Sequence, residues 1–138
     1  MSDDKPFLLP IRVYYEDTDA QGVVYYANYF RFMERARTEW LRQIGYEQNE
    51  LAASVGILFV VRKIVIDYIQ PARFNDETLV VSRVARLGRA SLAFAQDIVS
   101  QRDVLSRAKV KVGCLDANSL RPIAIPADIY TEIDNATR

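Results

Sequence analysis

Apolar residues recur along this chain with two distinct periods. From Asn28 onward, Tyr29, Phe30, Phe32, Met33, Ala36, Trp40, Leu41 and Ile44 return at three- and four-residue steps, while Arg31, Glu34, Arg35, Arg37 and Glu39 fill much of the remainder. Residues spaced that way share a face of an α-helix, so the stretch predicts one long amphipathic helix, roughly 24 Å from end to end at about 1.5 Å per residue. Asn28 suits its N-cap, and Gly45 suits the position just past its end. A shorter helix is expected over 49–55, stopped by Gly56.

Elsewhere the period is two. Ile11, Val13 and Tyr15 share one face of a first strand predicted over 11–15, after a tail at 1–9. Stretches 58–69, 78–87, 91–100 and 104–115 predict four further strands. In the last of these Val104, Ser106, Ala108, Val110, Val112 and Cys114 face one way, and Arg107, Lys109 and Lys111 the other. Gly88-Arg89-Ala90 and Gln101-Arg102-Asp103 are too short for crossovers, which favours antiparallel hairpins. Residues 116–126 are rich in turn formers, and 127–138 read as a short terminal helix or tail with Pro126 at its first position. An antiparallel sheet of about five strands needs its apolar face covered, and only the helix over 28–44 is long enough to do so. The predicted fold class is α+β: a single domain, 1–138, with a curved sheet wrapped around one central helix.

Composition narrows the chemistry. The 138 residues are 50% hydrophobic and 26% charged, an ordinary globular balance. Lys plus Arg and Asp plus Glu both number 18, so the formal net charge is zero, and the bulk electrostatics argue for neither nucleic acid nor an anionic membrane as partner. Any anionic ligand must be met by a local basic patch. There is no histidine, which excludes a Ser-His-Asp triad, a Cys-His pair and an imidazole general base, leaving carboxylates, Lys or Tyr for proton transfer. The single cysteine, Cys114, rules out an internal disulfide, and without histidine the usual zinc sites cannot be assembled, so no metal is expected. The first residues lack the basic region and apolar run of a signal peptide, and no stretch is apolar enough to span a membrane, so a cytoplasmic location is expected.

The candidate chemistry lies just before the long helix. Glu16, Asp17 and Asp19 crowd a turn that bends at Gly22 and leads into it. Free N–H groups at a helix start polarise a carbonyl, and a nearby carboxylate can handle water. On these residues alone Asp19 is as readily a turn former as a catalyst, Asp17 reads as a shaper of the turn, and Glu16 as solvated. Gly22 permits a conformation or close approach that a side chain would obstruct.

The run Tyr15-Glu16-Asp17-Thr18-Asp19-Ala20-Gln21-Gly22-Val23-Val24-Tyr25-Tyr26-Ala27-Asn28-Tyr29 resembles the signature of the hotdog-fold acyl-CoA thioesterases. The likeness is to their YbgC-type, Tol-Pal-associated group, and more distantly to 4-hydroxybenzoyl-CoA thioesterase. Glu34-Arg35-Ala36-Arg37-Thr38-Glu39, Phe59-Val60-Val61-Arg62-Lys63 and Tyr68-Ile69-Gln70-Pro71-Ala72-Arg73 extend it over most of 11–114.

The resemblance implies a hotdog fold and hydrolysis of an acyl-CoA to a carboxylic acid and free coenzyme A, without a cofactor. It implies that Asp19, the second Asp of the Asp-x-Asp pair, is the catalytic carboxylate, and that the main-chain N–H of Tyr26 holds the thioester carbonyl. Many relatives carry His where this sequence has Tyr26, a change that a backbone donor survives. Gly22 and Val24 are then expected at the substrate. Coenzyme A carries phosphates, so a basic rim is expected, with Arg89 foremost and Arg62, Lys63 and Arg107 beside it. Subunits of such proteins pair edge to edge, which implies a homodimer or homotetramer, and the unpaired edges of a lone sheet favour the same outcome. The competing reading is a non-catalytic module binding acyl-CoA or acyl carrier protein. A hotdog hydratase is disfavoured, because those relatives use histidine.

Overall fold

The computed structural model describes residues 5–101 and 103–137. Residues 1–4 of the expected tail, and Arg102 in the expected last hairpin turn, lie outside them. The strands are β1 (Phe7–Arg12), β2 (Ile57–Tyr68), β3 (Glu77–Leu87), β4 (Ser91–Ser100) and β5 (Asp103–Asp116), all paired antiparallel in one sheet of order β1-β3-β4-β5-β2. The central helix α1 runs over Asn28–Gln43. A short turn of helix, α2 (Gln48–Glu50), widens over Leu51–Val55 and closes where the Gly56 N–H donates to the Leu51 carbonyl at 2.7 Å. The last helix is α3, Ala127–Ala136.

Tyr29, Phe32, Met33, Ala36, Trp40 and Leu41 give α1 a buried stripe. They meet the inner face of the sheet, where Phe94, Val110, Val112 and Cys114 are buried and the Phe94 ring stands edge-on to Trp40. Polar groups are built into this core as well, Gln96 the best connected of them. Gln96 is fully buried, donates to the Met33 carbonyl at 3.0 Å and to Ser82 Oγ at 2.9 Å, and accepts from Arg37 Nη1 at 2.9 Å. It stitches the helix to β3 and β4 at once, and burial lowers the Arg37 guanidinium from its ordinary value. Among the described residues no helix is long and apolar enough to cross a membrane.

Three expectations need correction. The first strand is Phe7–Arg12 rather than 11–15, so it begins inside the expected tail. It pairs with β3 from Phe7 against Ser82 to Arg12 against Glu77, and tolerates Pro10 because it is an edge. Tyr15 instead opens a tight 3₁₀ turn, Tyr15–Asp17. Asn28 is not the N-cap: Ala27 holds that position with helical dihedrals, since the Asn28 N–H already bonds the Tyr25 carbonyl at 2.8 Å. Pro126 is the residue before α3 rather than its first, with an extended ψ of 143°.

Candidate active site

Between β1 and α1 the chain makes a narrow hairpin. The Asp19 N–H donates to the Val23 carbonyl at 2.9 Å, Thr18 pairs with Val24, and the Gly22 N–H closes the turn on the Asp19 carbonyl at 3.0 Å. Gly22 sits at φ +80°, and nothing lies within 4 Å of where a Cβ would be, so backbone conformation rather than space calls for glycine. Asp19 is half-buried, and its Oδ1 accepts the Gln21 N–H at 2.9 Å. This Asx turn orients the carboxylate and leaves Oδ2 without a partner among the described residues.

Asp17 fixes the hairpin to the helix. It is 5% exposed, and its Oδ2 accepts the Tyr14 N–H at 2.9 Å while Oδ1 accepts the Asn28 side-chain amide at 2.9 Å. Its carbonyl takes the Tyr25 N–H at 2.8 Å. From the other side Ala72 acts as a clamp. Its carbonyl accepts the Val24 N–H at 2.8 Å, and its N–H donates to the Tyr29 hydroxyl at 3.0 Å. Burial raises the Tyr29 phenol above its ordinary value.

The chain then enters α1 with main-chain donors to spare. The Tyr26 N–H has no hydrogen-bond partner among the described residues, while its carbonyl accepts the Tyr68 hydroxyl at 3.0 Å. The Tyr26 side chain is exposed and stands edge-on to Tyr68. No acid occupies the first turn of α1, so no side chain there offsets the positive end of the helix dipole. A carboxylate with a free oxygen, a spare amide and an uncompensated dipole suit a reaction in which negative charge develops on a carbonyl oxygen.

The structure gathers Asp19, Gly22 and Tyr26 into this one junction, and does not bring the other expected residues to it. Val24 is buried and its N–H is taken by Ala72, so its side chain belongs to the core. Arg62 and Lys63 are exposed on β2, and at about 3.3 Å per residue Lys63 stands about 17 Å along the strand from Tyr68. The Arg62 stem lies over Gly113, with its Cδ 2.7 Å from where a Cβ on that glycine would be. Arg89 is exposed in the β3–β4 turn, and Arg107 leans toward Asp97 at 3.9 Å.

Two features were missed from sequence. Tyr68 reaches the helix start through its hydroxyl, a contact with no local signal. A cavity of about 310 Å³ lies under the second half of α1, lined by Glu34, Arg37, Thr38, Phe59, Val61 and Leu92 among others. Neither Asp19 nor Tyr26 borders it. The polar pair Glu34 and Thr38, four apart on one helix face, was the available hint.

Residues 13–133 match the model of the thioesterase-like superfamily. The chain is 42% identical over 126 residues to an acyl-CoA thioesterase YbgC of Haemophilus influenzae, covering 91% of this chain and 93% of that protein. It is 44% identical over 127 residues to an acyl-CoA thioester hydrolase YbgC of Escherichia coli O157:H7, covering 91% and 94%. Among solved structures, a probable thioesterase from Bartonella henselae superposes with a TM-score of 0.84 at 34% identity, covering 88% of this chain and all of that one. The chain belongs to the thioesterase-like superfamily and has its hotdog fold, a five-stranded antiparallel sheet around a central helix.

Proposed function

We propose that this chain hydrolyses acyl-CoA thioesters, with Asp19 acting on water and the Tyr26 main-chain N–H holding the carbonyl oxygen. The junction of hairpin and helix carries this reading: the unpartnered Oδ2 of Asp19 and the unpartnered amide of Tyr26 belong to one segment braced by Asp17 and Ala72. Asp19 takes a proton from water as the water oxygen bonds to the carbonyl carbon. The carbonyl oxygen gains negative charge against the Tyr26 amide and the helix dipole. As the carbonyl re-forms, the C–S bond breaks and coenzyme A leaves as a thiolate, whose parent thiol pKa of about 8.5 calls for little acid assistance. The YbgC relatives bear acyl-CoA thioesterase names, which supports this substrate class. An acyl carrier protein thioester presents the same reacting carbonyl, and the cytoplasm is the compartment in which we place the reaction.

Two subunits complete the site in this reading. Of the sheet's two edges, β1 is blunted by Pro10, whereas β2 runs twelve residues with Val61 and Val65 exposed. Two-fold pairing through β2 sets the start of one strand against the end of its partner. The start carries Phe59 and Val61 of the cavity, and the end carries Tyr68 at the helix start. Each cavity then opens toward the partner's Asp19 and Tyr26. Arg62, Lys63 and Arg89 remain our candidates for the coenzyme A phosphates, at the sheet end where Arg62 crosses Gly113 and Gly113 pairs with Ser91.

Thiol release from short, long and aromatic acyl-CoAs tests the reading. Asp19→Asn keeps an oxygen for the Gln21 N–H and is expected to lower kcat by about 10²–10⁴ with acyl-CoA binding retained. Turnover near the wild-type level in that variant would remove Asp19 from the mechanism. Tight binding without any thiol release by the wild type would identify a non-catalytic binding module instead.

A further inference from the structure

The face of the sheet turned away from α1 is charged in a way the balanced composition conceals. Directly opposed residues of neighbouring strands project from the same face, so the register defines rows. One row reads Arg86, Ala93, Lys111, Lys63 across β3, β4, β5 and β2, and the next reads Arg83, Ala95, Lys109, Val65. All five of these Lys and Arg side chains are exposed, and none has an ion-pair partner among the described residues. The following row is built differently, with Asp97, Arg107 and Asp67 alternating in sign. Lys63 directly opposite Lys111 is a like-charge pair that costs folding stability. The sheet therefore compensates charge in one row and leaves it bare in two.

The strip has a definite shape. With strands about 4.8 Å apart, a row from Lys63 to Arg86 spans about 14 Å, and the two rows lie about 7 Å apart along the strands. Its floor is Ala93 and Ala95, and it holds no aromatic side chain to stack on a base or fill a partner's pocket. Stacking a second copy sheet against sheet would bring like charges together. Pairing through β2 would instead join the strips of two subunits into one continuous basic band, since Lys63 lies on that edge strand.

We infer that this outer face is a docking surface for an anionic lipid bilayer, held by charge and without insertion. The inference goes beyond the hydrolase reading and shares only Lys63 with it, since Arg83, Arg86, Lys109 and Lys111 take no part in the proposed substrate site. A shallow, wide band of cations with no anchoring side chain matches a plane of phosphate headgroups, where each Lys or Arg near the surface contributes independently.

The test is co-sedimentation of the 138-residue protein with vesicles of phosphatidylglycerol in phosphatidylcholine, beside vesicles of phosphatidylcholine alone. The wild type is expected to pellet with the first at low salt, to be released by added salt, and not to pellet with the second. The triple variant Arg83→Gln, Lys109→Gln, Lys111→Gln is expected to partition about a hundredfold more weakly, with thiol release from soluble acyl-CoA unchanged. Failure of the wild type to pellet with the anionic vesicles, or undiminished pelleting of the variant, overturns the inference. So does an outcome in which the variant loses affinity for an acidic protein such as acyl carrier protein while the wild type ignores vesicles. Loss of vesicle binding beside intact thiol release supports it, and leaves the hydrolase reading to be judged by its own variant.

Discussion

The Asn28 side-chain amide donates to Asp17 Oδ1 at 2.9 Å, and this bond ties the acidic turn to the first residue of the central helix. Because the other oxygen of Asp17 holds the Tyr14 N–H, one buried carboxylate sets how the hairpin leaves β1 and how it meets α1. Asp19 is placed by that bracing as much as by its own turn.

Removing the brace should therefore cost both stability and rate. Hydrogen bonds to a charged group contribute about 1.5–3 kcal/mol each, so Asp17→Ala is expected to lose about 3 kcal/mol in urea denaturation. Activity should fall with it, because the hairpin that carries Asp19 is no longer tied to Asn28 at the helix start. Asp17→Asn, which keeps an acceptor, should lose less on both counts.

Gly22 separates backbone geometry from packing. At φ +80° with open space around it, Gly22→Ala is expected to cost about 1 kcal/mol of stability, from conformation alone. The Gly22 N–H bonds the Asp19 carbonyl, so the same variant should lower kcat. Gly22→Asn tolerates the left-handed region better and should recover part of both losses in the same two assays.

The Arg37–Gln96 contact offers a coupling test. Gln96→Leu strands Ser82 Oγ and a half-buried guanidinium, and should cost about 1–3 kcal/mol by chemical denaturation. Arg37→Met added to it should cost less than the sum of the two single changes, because both remove one shared bond. Strict additivity would show that the contact contributes nothing to stability.

Alkaline pH should unfold the protein by a predictable route. Burial raises the Cys114 thiol above its ordinary 9.0 and the Tyr29 phenol above its ordinary 10.0. The native state thus keeps protons that the unfolded chain releases. That stability is whole below the unfolded values and is lost as pH rises through the raised native ones. Urea midpoints should decline from about pH 9 upward, and Cys114→Ala should remove the lower part of the decline. A thiol reagent should label Cys114 only on unfolding.

The order of strands and helices, the antiparallel hairpins and the central place of α1 were determined by the sequence itself. These follow from local quantities, namely the period of apolar positions and the shortness of the connections. The split of β5 into buried Val110, Val112 and Cys114 and exposed Lys109 and Lys111 was readable for the same reason. The acidic turn ahead of the central helix was legible too, since Asp19, Gly22 and Tyr26 lie in one continuous segment.

Tertiary structure alone decided what spans distance along the chain. Asn28 looked like a cap, and only the fold showed its amide turned to Asp17, eleven residues back. Val24 looked like part of a site, and burial against the Ala72 segment made it core. No composition reveals that Lys63, Lys111 and Arg86 form a row, because cross-strand register is a relation between strands far apart in sequence. A net charge of zero is a sum over the whole chain, whereas the field at a surface depends on which residues the sheet sets side by side.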